Sequence, residues 1–131
     1  DCGVGQNYCV SGQNGALISA DGSASVSAND LILRAEGVPP GVNGIFFYGD
    51  LQTAVLLGQG VRCVGGSAGL FRLQPVTNSG SAGELSHALD LTAPPLPGGA
   101  ITPGSTWNFQ AWFRSGGTSD LTDGLSVTFT P

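Results

Sequence analysis

Few residues of this chain have side chains that do chemistry, and their spacing sorts them. Gly65, Gly66, Ser67, Ala68 and Gly69 spell the G-x-S-x-G pattern of serine hydrolases. That pattern works where a strand turns sharply into a helix and exposes the serine. Here residues 70–73 read as another strand. The single histidine, His87, precedes Asp90, whereas the hydrolase order places the acid first. Turn glycines are the better reading, and His87 reads as a structural residue on a strand. One histidine supplies no imidazole trio for a transition metal. Asp120 and Asp123, beside Thr118, Ser119 and Thr122, are the candidate Ca²⁺ ligands, since Ca²⁺ takes six to eight oxygens. Their spacing is not that of an EF-hand, and turn-forming hydrogen bonds compete for the same oxygens. No pair of carboxylates is marked out for glycoside hydrolysis, and no phosphate- or dinucleotide-binding fingerprint occurs. The expectation is no catalytic residue and no resident cofactor.

Trp112 is the strongest candidate for binding. Trp107, Phe109, Ala111 and Phe113 alternate with Asn108, Gln110, Trp112 and Arg114. Residues two apart share a face of a strand, so Trp112 stands on the opposite face from the other rings, among amides and Arg114. An exposed Trp in that company suits a sugar-stacking platform or a protein interface. The competing reading is a strand covered on both faces, with Trp112 in the core.

The elements that position these residues are strands. Over residues 104–131 the alternating run is followed by a polar loop, 115–124. A second run comes next, Leu125, Val127 and Phe129 against Ser126, Thr128 and Thr130, and together they read as a long antiparallel hairpin. Earlier, residues 16–20 form a short apolar segment. Ala24, Val26 and Ala28 alternate with serines, and Leu31, Leu33 and Ala35 alternate with Ile32, Arg34 and Glu36. Residues 45–48 are wholly apolar, 53–57 and 61–64 flank Gly58-Gln59-Gly60, and 70–73 form a strand stopped by Pro75. Residues 85–91 make another strand, and the proline-rich 92–104 reads as a rigid surface connection. About eight to ten short strands separated by turn signals predict an all-β, antiparallel sandwich of the jelly-roll or immunoglobulin-like kind.

Composition bounds the partners. The chain has 131 residues, 40% of them hydrophobic, 22 Gly and 8 Pro, which fits one turn-rich domain with a real core. Residues 1–15 read as a Gly-rich arm, able to complete the sheet of a neighbouring copy, and 16–131 as the sandwich. Charged residues make up 10%, with a net charge of −5 and only four basic side chains, all Arg. Four scattered Arg do not displace the counterions of a nucleic acid, nor do they hold an anionic membrane surface. No apolar run approaches the roughly 20 residues of a spanning helix. Solvent-facing positions are mostly Ser, Thr, Asn and Gln, which repel neighbouring copies little and tolerate self-association. The start at Asp1-Cys2, without Met, reads as a mature or excised piece.

Several phrases resemble a family of secreted modules of environmental bacteria, often found at the end of large extracellular proteins. They are Asn7-Tyr8-Cys9, residues 23–33, 44–49, Arg62-Cys63-Val64-Gly65-Gly66 and 89–92. The most specific are STWNFQAWFR (residues 105–114) and LTDGLSVTF (121–129). The resemblance implies an exported β-sandwich and carries no functional residues with it. Three Cys in an exported chain give one disulfide and one remainder. The resemblance pairs Cys9 with Cys63 across a loop of about 54 residues, worth about 4 kcal/mol on chain-entropy grounds. Cys2 is then an intermolecular or free thiol, while a Cys2–Cys63 pairing stays open. The expected function is a non-enzymatic extracellular structural or adhesive module, the subunit of a self-assembling surface filament. Its partners would be further copies or another extracellular protein. The alternative is a carbohydrate-binding module using Trp112, Asn108, Gln110 and Arg114, with a glycan as partner.

Overall fold

A computed structural model describes residues 4–9 and 15–131. Over these the chain forms eleven strands: β1 (Gln6–Tyr8), β2 (Leu17–Asp21), β3 (Ile32–Glu36), β4 (Asn43–Gly49), β5 (Leu51–Leu57), β6 (Gly60–Gly65), β7 (Phe71–Asn78), β8 (Leu85–Ala88), β9 (Thr106–Ser115), β10 (Thr118–Leu121) and β11 (Gly124–Thr128). The one helical element among the described residues is a 3-10 turn at Pro97–Gly99. The larger sheet runs β1-β11-β9-β4-β7, with β10 also on β9; the smaller is β2-β3-β8, and β5-β6 stand as a separate hairpin. All pairings between these strands are antiparallel. The chain is all-β and sandwich-like, as its alternation predicts.

The core lies between the two larger sheets. From the smaller sheet Ile18, Ala20, Leu33, Ala35 and Leu85 point inward, alternating with exposed Leu17, Asp21 and Glu36. They meet Phe46 and Tyr48 of β4, Phe71 and Leu73 of β7, the ring-bearing face of β9, and Leu125 and Val127 of β11. Tyr48 is the hub: its ring lies 5.3–5.4 Å from those of Phe71, Trp107 and Phe109. Its hydroxyl donates to the Gly99 carbonyl at 2.6 Å, and burial pushes its pKa up to about 12.

The opposite face of the larger sheet is covered as well, by the β5–β6 hairpin. One residue, Asp50, separates β4 from β5, so the chain doubles back over its own sheet. A Cβ on Gly49 would lie 2.1 Å from the Gly65 carbonyl oxygen, so this close backbone approach requires glycine. Gln110 fastens the hairpin to the sheet. It is fully buried; its Oε1 accepts from the Cys63 amide at 2.8 Å, and its Nε2 donates to the Val61 and Thr122 carbonyls at 2.9 and 2.6 Å. Phe47, Val64 and Leu121 make a small second core beside it, flanked by Leu70 and Trp112.

Described residues of the N-terminal arm lie on this same body. β1 pairs with β11, and the Cys9–Cys63 disulfide ties it to β6 with the two Cα atoms 6.2 Å apart. Cys2 lies outside the described residues. The Tyr8 hydroxyl donates to the Cys63 carbonyl at 2.8 Å, and its pKa, too, is pushed up to about 12 by burial.

Four local expectations need correction. Residues 23–28 form a turn with a single bridge, Ser25 to Thr130, rather than a strand. Asp30 captures both the amide and hydroxyl of Ser23, and the Ser25 hydroxyl captures the Ala28 amide; such bonds compete with a ladder. Pro75 does not stop β7, because β7 is an edge strand and its register with β4 shifts between Leu73 and Thr77. The strand at 85–91 is shorter and ends at Ala88. The polar stretch 115–124 is a tight turn at Gly116-Gly117 followed by β10. Beyond it β11 returns to β9 through a bulge, four steps from Leu121 to Leu125 facing three from Phe109 to Trp112.

Candidate functional site

The uncovered part of the larger sheet's outer face is a groove, bounded by the β5–β6 hairpin on one side and the edge strand β7 on the other. On β7, inward Phe71 and Leu73 force Arg72, Gln74 and Val76 outward. On β4, Ile45 and Phe47 share that face, and β9 adds Trp112 opposite Ile45. The hairpin closes the near wall with Leu57 and Arg62. This end encloses about 470 Å³ and is predominantly apolar. Past Arg62, Leu70 and Arg72 the groove continues into a second basin of about 780 Å³, walled by Leu51, Thr53, Gly66 and Leu96. No carboxylate lines either basin. Trp112 is half-buried, and the Arg114 guanidinium lies over its ring, 5.1 Å from the centroid.

Asn108 and Gln110 do not join Trp112 on an exposed face. Both are buried, Asn108 against Gln52 and the Gly49 carbonyl, Gln110 against the hairpin backbone. The covering hairpin is the physical reason. Of the four residues named for that face, Trp112 and Arg114 remain accessible.

Other sequence candidates are scattered. Ser67 sits in a strand–turn–strand link between β6 and β7, its hydroxyl and amide both donated to the Asp50 carboxylate at 2.7 and 2.8 Å. These bonds hold the Asp50 pKa below the usual carboxylate value. His87 stands on β8 in the smaller sheet, 6.5 Å from the Phe46 ring, its pKa lowered by burial. No hydrogen bond among the described residues joins it to Ser67. Asp123 is buried at the bulge, where its oxygens accept from the Ile18 amide at 2.8 Å and the Asn7 side chain at 2.9 Å. Burial raises its pKa. Asp120, also buried, accepts from the Leu121 amide at 2.8 Å. Among the described residues no three His, Cys, Asp or Glu gather as a metal site.

Sequence reasoning missed Arg62, Arg72, Leu57 and Val76. The alternation Phe71-Arg72-Leu73-Gln74 was the available signal for an outward Arg72, but only the fold-back of the hairpin brings Arg62 beside it.

No known protein family, curated protein or solved structure matches the chain. The fold alone defines its class, an antiparallel β-sandwich-like protein whose larger sheet carries a hairpin on its outer face.

Proposed function

We propose that the chain is a non-enzymatic extracellular module that works by contact, associating with further copies of itself as a structural or adhesive unit. The observation that carries this is β5. Its seven residues, Leu51 to Leu57, contain no charge and no proline. β6 occupies one edge, and among the described residues no strand pairs with the other. Leu56 is 85% exposed, and Leu51, Val55 and Leu57 are each at least 40% exposed. The register with β6 shifts between Gln52 and Val55, and the exposed run 55–57 lies beyond that irregularity. Soluble proteins ordinarily also shield such an edge with Lys or Pro, because its unpaired N–H and C=O groups template another strand. A contact that does not close on itself extends into a filament. The Cys9–Cys63 disulfide is compatible with an oxidising compartment, which supports export. The carbohydrate-binding alternative draws less support, because two of its four residues, Asn108 and Gln110, are buried.

Sedimentation velocity across a concentration series, with electron microscopy, tests the proposal. Wild type should associate as concentration rises, and Leu56→Lys, which puts a charge on the exposed edge, should stay monomeric. A wild type that remains monomeric at millimolar concentration overturns it, as does association indifferent to Leu56→Lys.

A further inference from the structure

We infer that the groove between the β5–β6 hairpin and β7 is a binding site for an extended peptide segment carrying both aliphatic side chains and carboxylates. This surface borders that of β5, sharing Leu51 and Leu57 with it, but the inference does not depend on self-association.

The charge distribution is the first reason. The chain is acidic overall, at −5, yet three of its four basic residues converge on this face. Arg62 and Arg72 flank the waist that joins the two basins, and Arg114 stands over Trp112 at one end. The fourth, Arg34, is paired with Asp21, the only ion pair among the described residues. Among the described residues no carboxylate pairs with these three guanidinium groups, which offer forks for an outside anion.

The walls choose the class of anion. Beside the Arg pair, the Trp112 end presents Ile45, Phe47, Leu57, Leu70 and Val76. Branched aliphatic walls gain by burying aliphatic side chains, whereas a sugar needs flat rings edged by hydrogen-bonding amides. Here Gln74 is the one amide in that basin, and the Arg114 guanidinium covers one face of the Trp112 ring. A strand-like peptide places alternate side chains on one side, so an aliphatic residue seats against Trp112 while a nearby carboxylate meets Arg62 or Arg72. Arg114, over the indole at 5.1 Å, helps hold that ring in place.

The test is an NMR titration observing the Trp112 indole N–H and the Arg62, Arg72 and Arg114 side-chain N–H signals. The probes are an end-blocked Leu/Glu peptide with Leu and Glu two residues apart (Leu-Thr-Glu-Thr-Leu-Thr-Glu), so that both share one side of an extended chain, its Leu/Lys counterpart with Lys for Glu, and an oligogalacturonate. The Leu/Glu peptide should shift the Trp112, Arg62 and Arg72 signals and bind more weakly as salt rises; the Leu/Lys peptide should leave them unmoved. Arg62→Gln with Arg72→Gln should weaken binding about tenfold or more, the loss expected when charge-assisted hydrogen bonds are removed. Arg72→Gln with Arg114→Gln, both exposed positions, is the second pair should the first disturb the backbone spectrum. Leu56→Lys should bind the peptide as wild type does. No shift at millimolar Leu/Glu peptide overturns the inference. Equal response to the Leu/Lys peptide, shifts confined to another face, or binding of the oligogalacturonate in its place also overturns it.

Discussion

Replacing Gln110 by Leu keeps side-chain volume close to native and removes three hydrogen bonds from a fully buried position. The Cys63 amide loses its acceptor, and the Val61 and Thr122 carbonyls lose a donor. The buried Cys63 amide and Thr122 carbonyl cost about 1–3 kcal/mol each when they lose this partner, offset in part by burying a leucine, for a net loss of about 2 kcal/mol. Against the 5–15 kcal/mol typical of a small domain, that is a large share. Urea unfolding of the oxidised protein measures it. Because the disulfide still anchors β6, the loss should concentrate in the hairpin, and hydrogen exchange should speed up at the amides of β6 before those of β4 or β9. Gln110→Glu should be worse at neutral pH, since it buries a charge facing two carbonyls, and should recover as acid neutralises it. A loss under about 1 kcal/mol for Gln110→Leu, with hairpin exchange unchanged, refutes the claim that this amide fastens the outer layer.

Replacing Cys9 and Cys63 together by Ser opens a 54-residue cross-link and should lower unfolding free energy by about 4 kcal/mol in urea. Gly124→Ala should cost about 1–3 kcal/mol, because its Cβ would meet the Tyr8 ring at 2.5 Å; a smaller ring-free residue at position 8 should relieve much of that. Arg34→Ala should change stability by about 0.5 kcal/mol or less, because both partners of its ion pair with Asp21 are substantially exposed. Asp123 gives a pH signature. Its folded pKa is raised by burial, so the folded state holds the proton more tightly than the unfolded chain. Its contribution should therefore be most favourable below the unfolded value and fall as pH climbs through the window above 3.8. The stability of wild type minus that of Asp123→Asn, followed against pH, should decline across that window; a rise reverses the assignment.

Alternation made the inner face readable. Leu33 and Ala35 against Arg34, and Trp107, Phe109 and Phe113 against Asn108, imposed a period of two whose apolar members could hide only in a shared core. Turn glycines at 58–60 marked the segments 53–57 and 61–64, which extend in the structure to Leu51–Leu57 and Gly60–Gly65. Alternation failed where side chains captured the backbone, as Asp30 does at Ser23, and where an edge position excused Pro75 from the ladder.

Partnership across the outer face was not legible. Asn108, Gln110 and Trp112 share one register and one strand, yet two are sealed beneath a hairpin and the third borders a groove. Local period fixes which face a side chain takes, and so the residues alone set an all-strand body with an aromatic interior. What covers each face depends on how segments far apart in the chain fold over one another. The return of β5–β6 across its own sheet therefore decided both the buried amide latch and the arginine-lined groove.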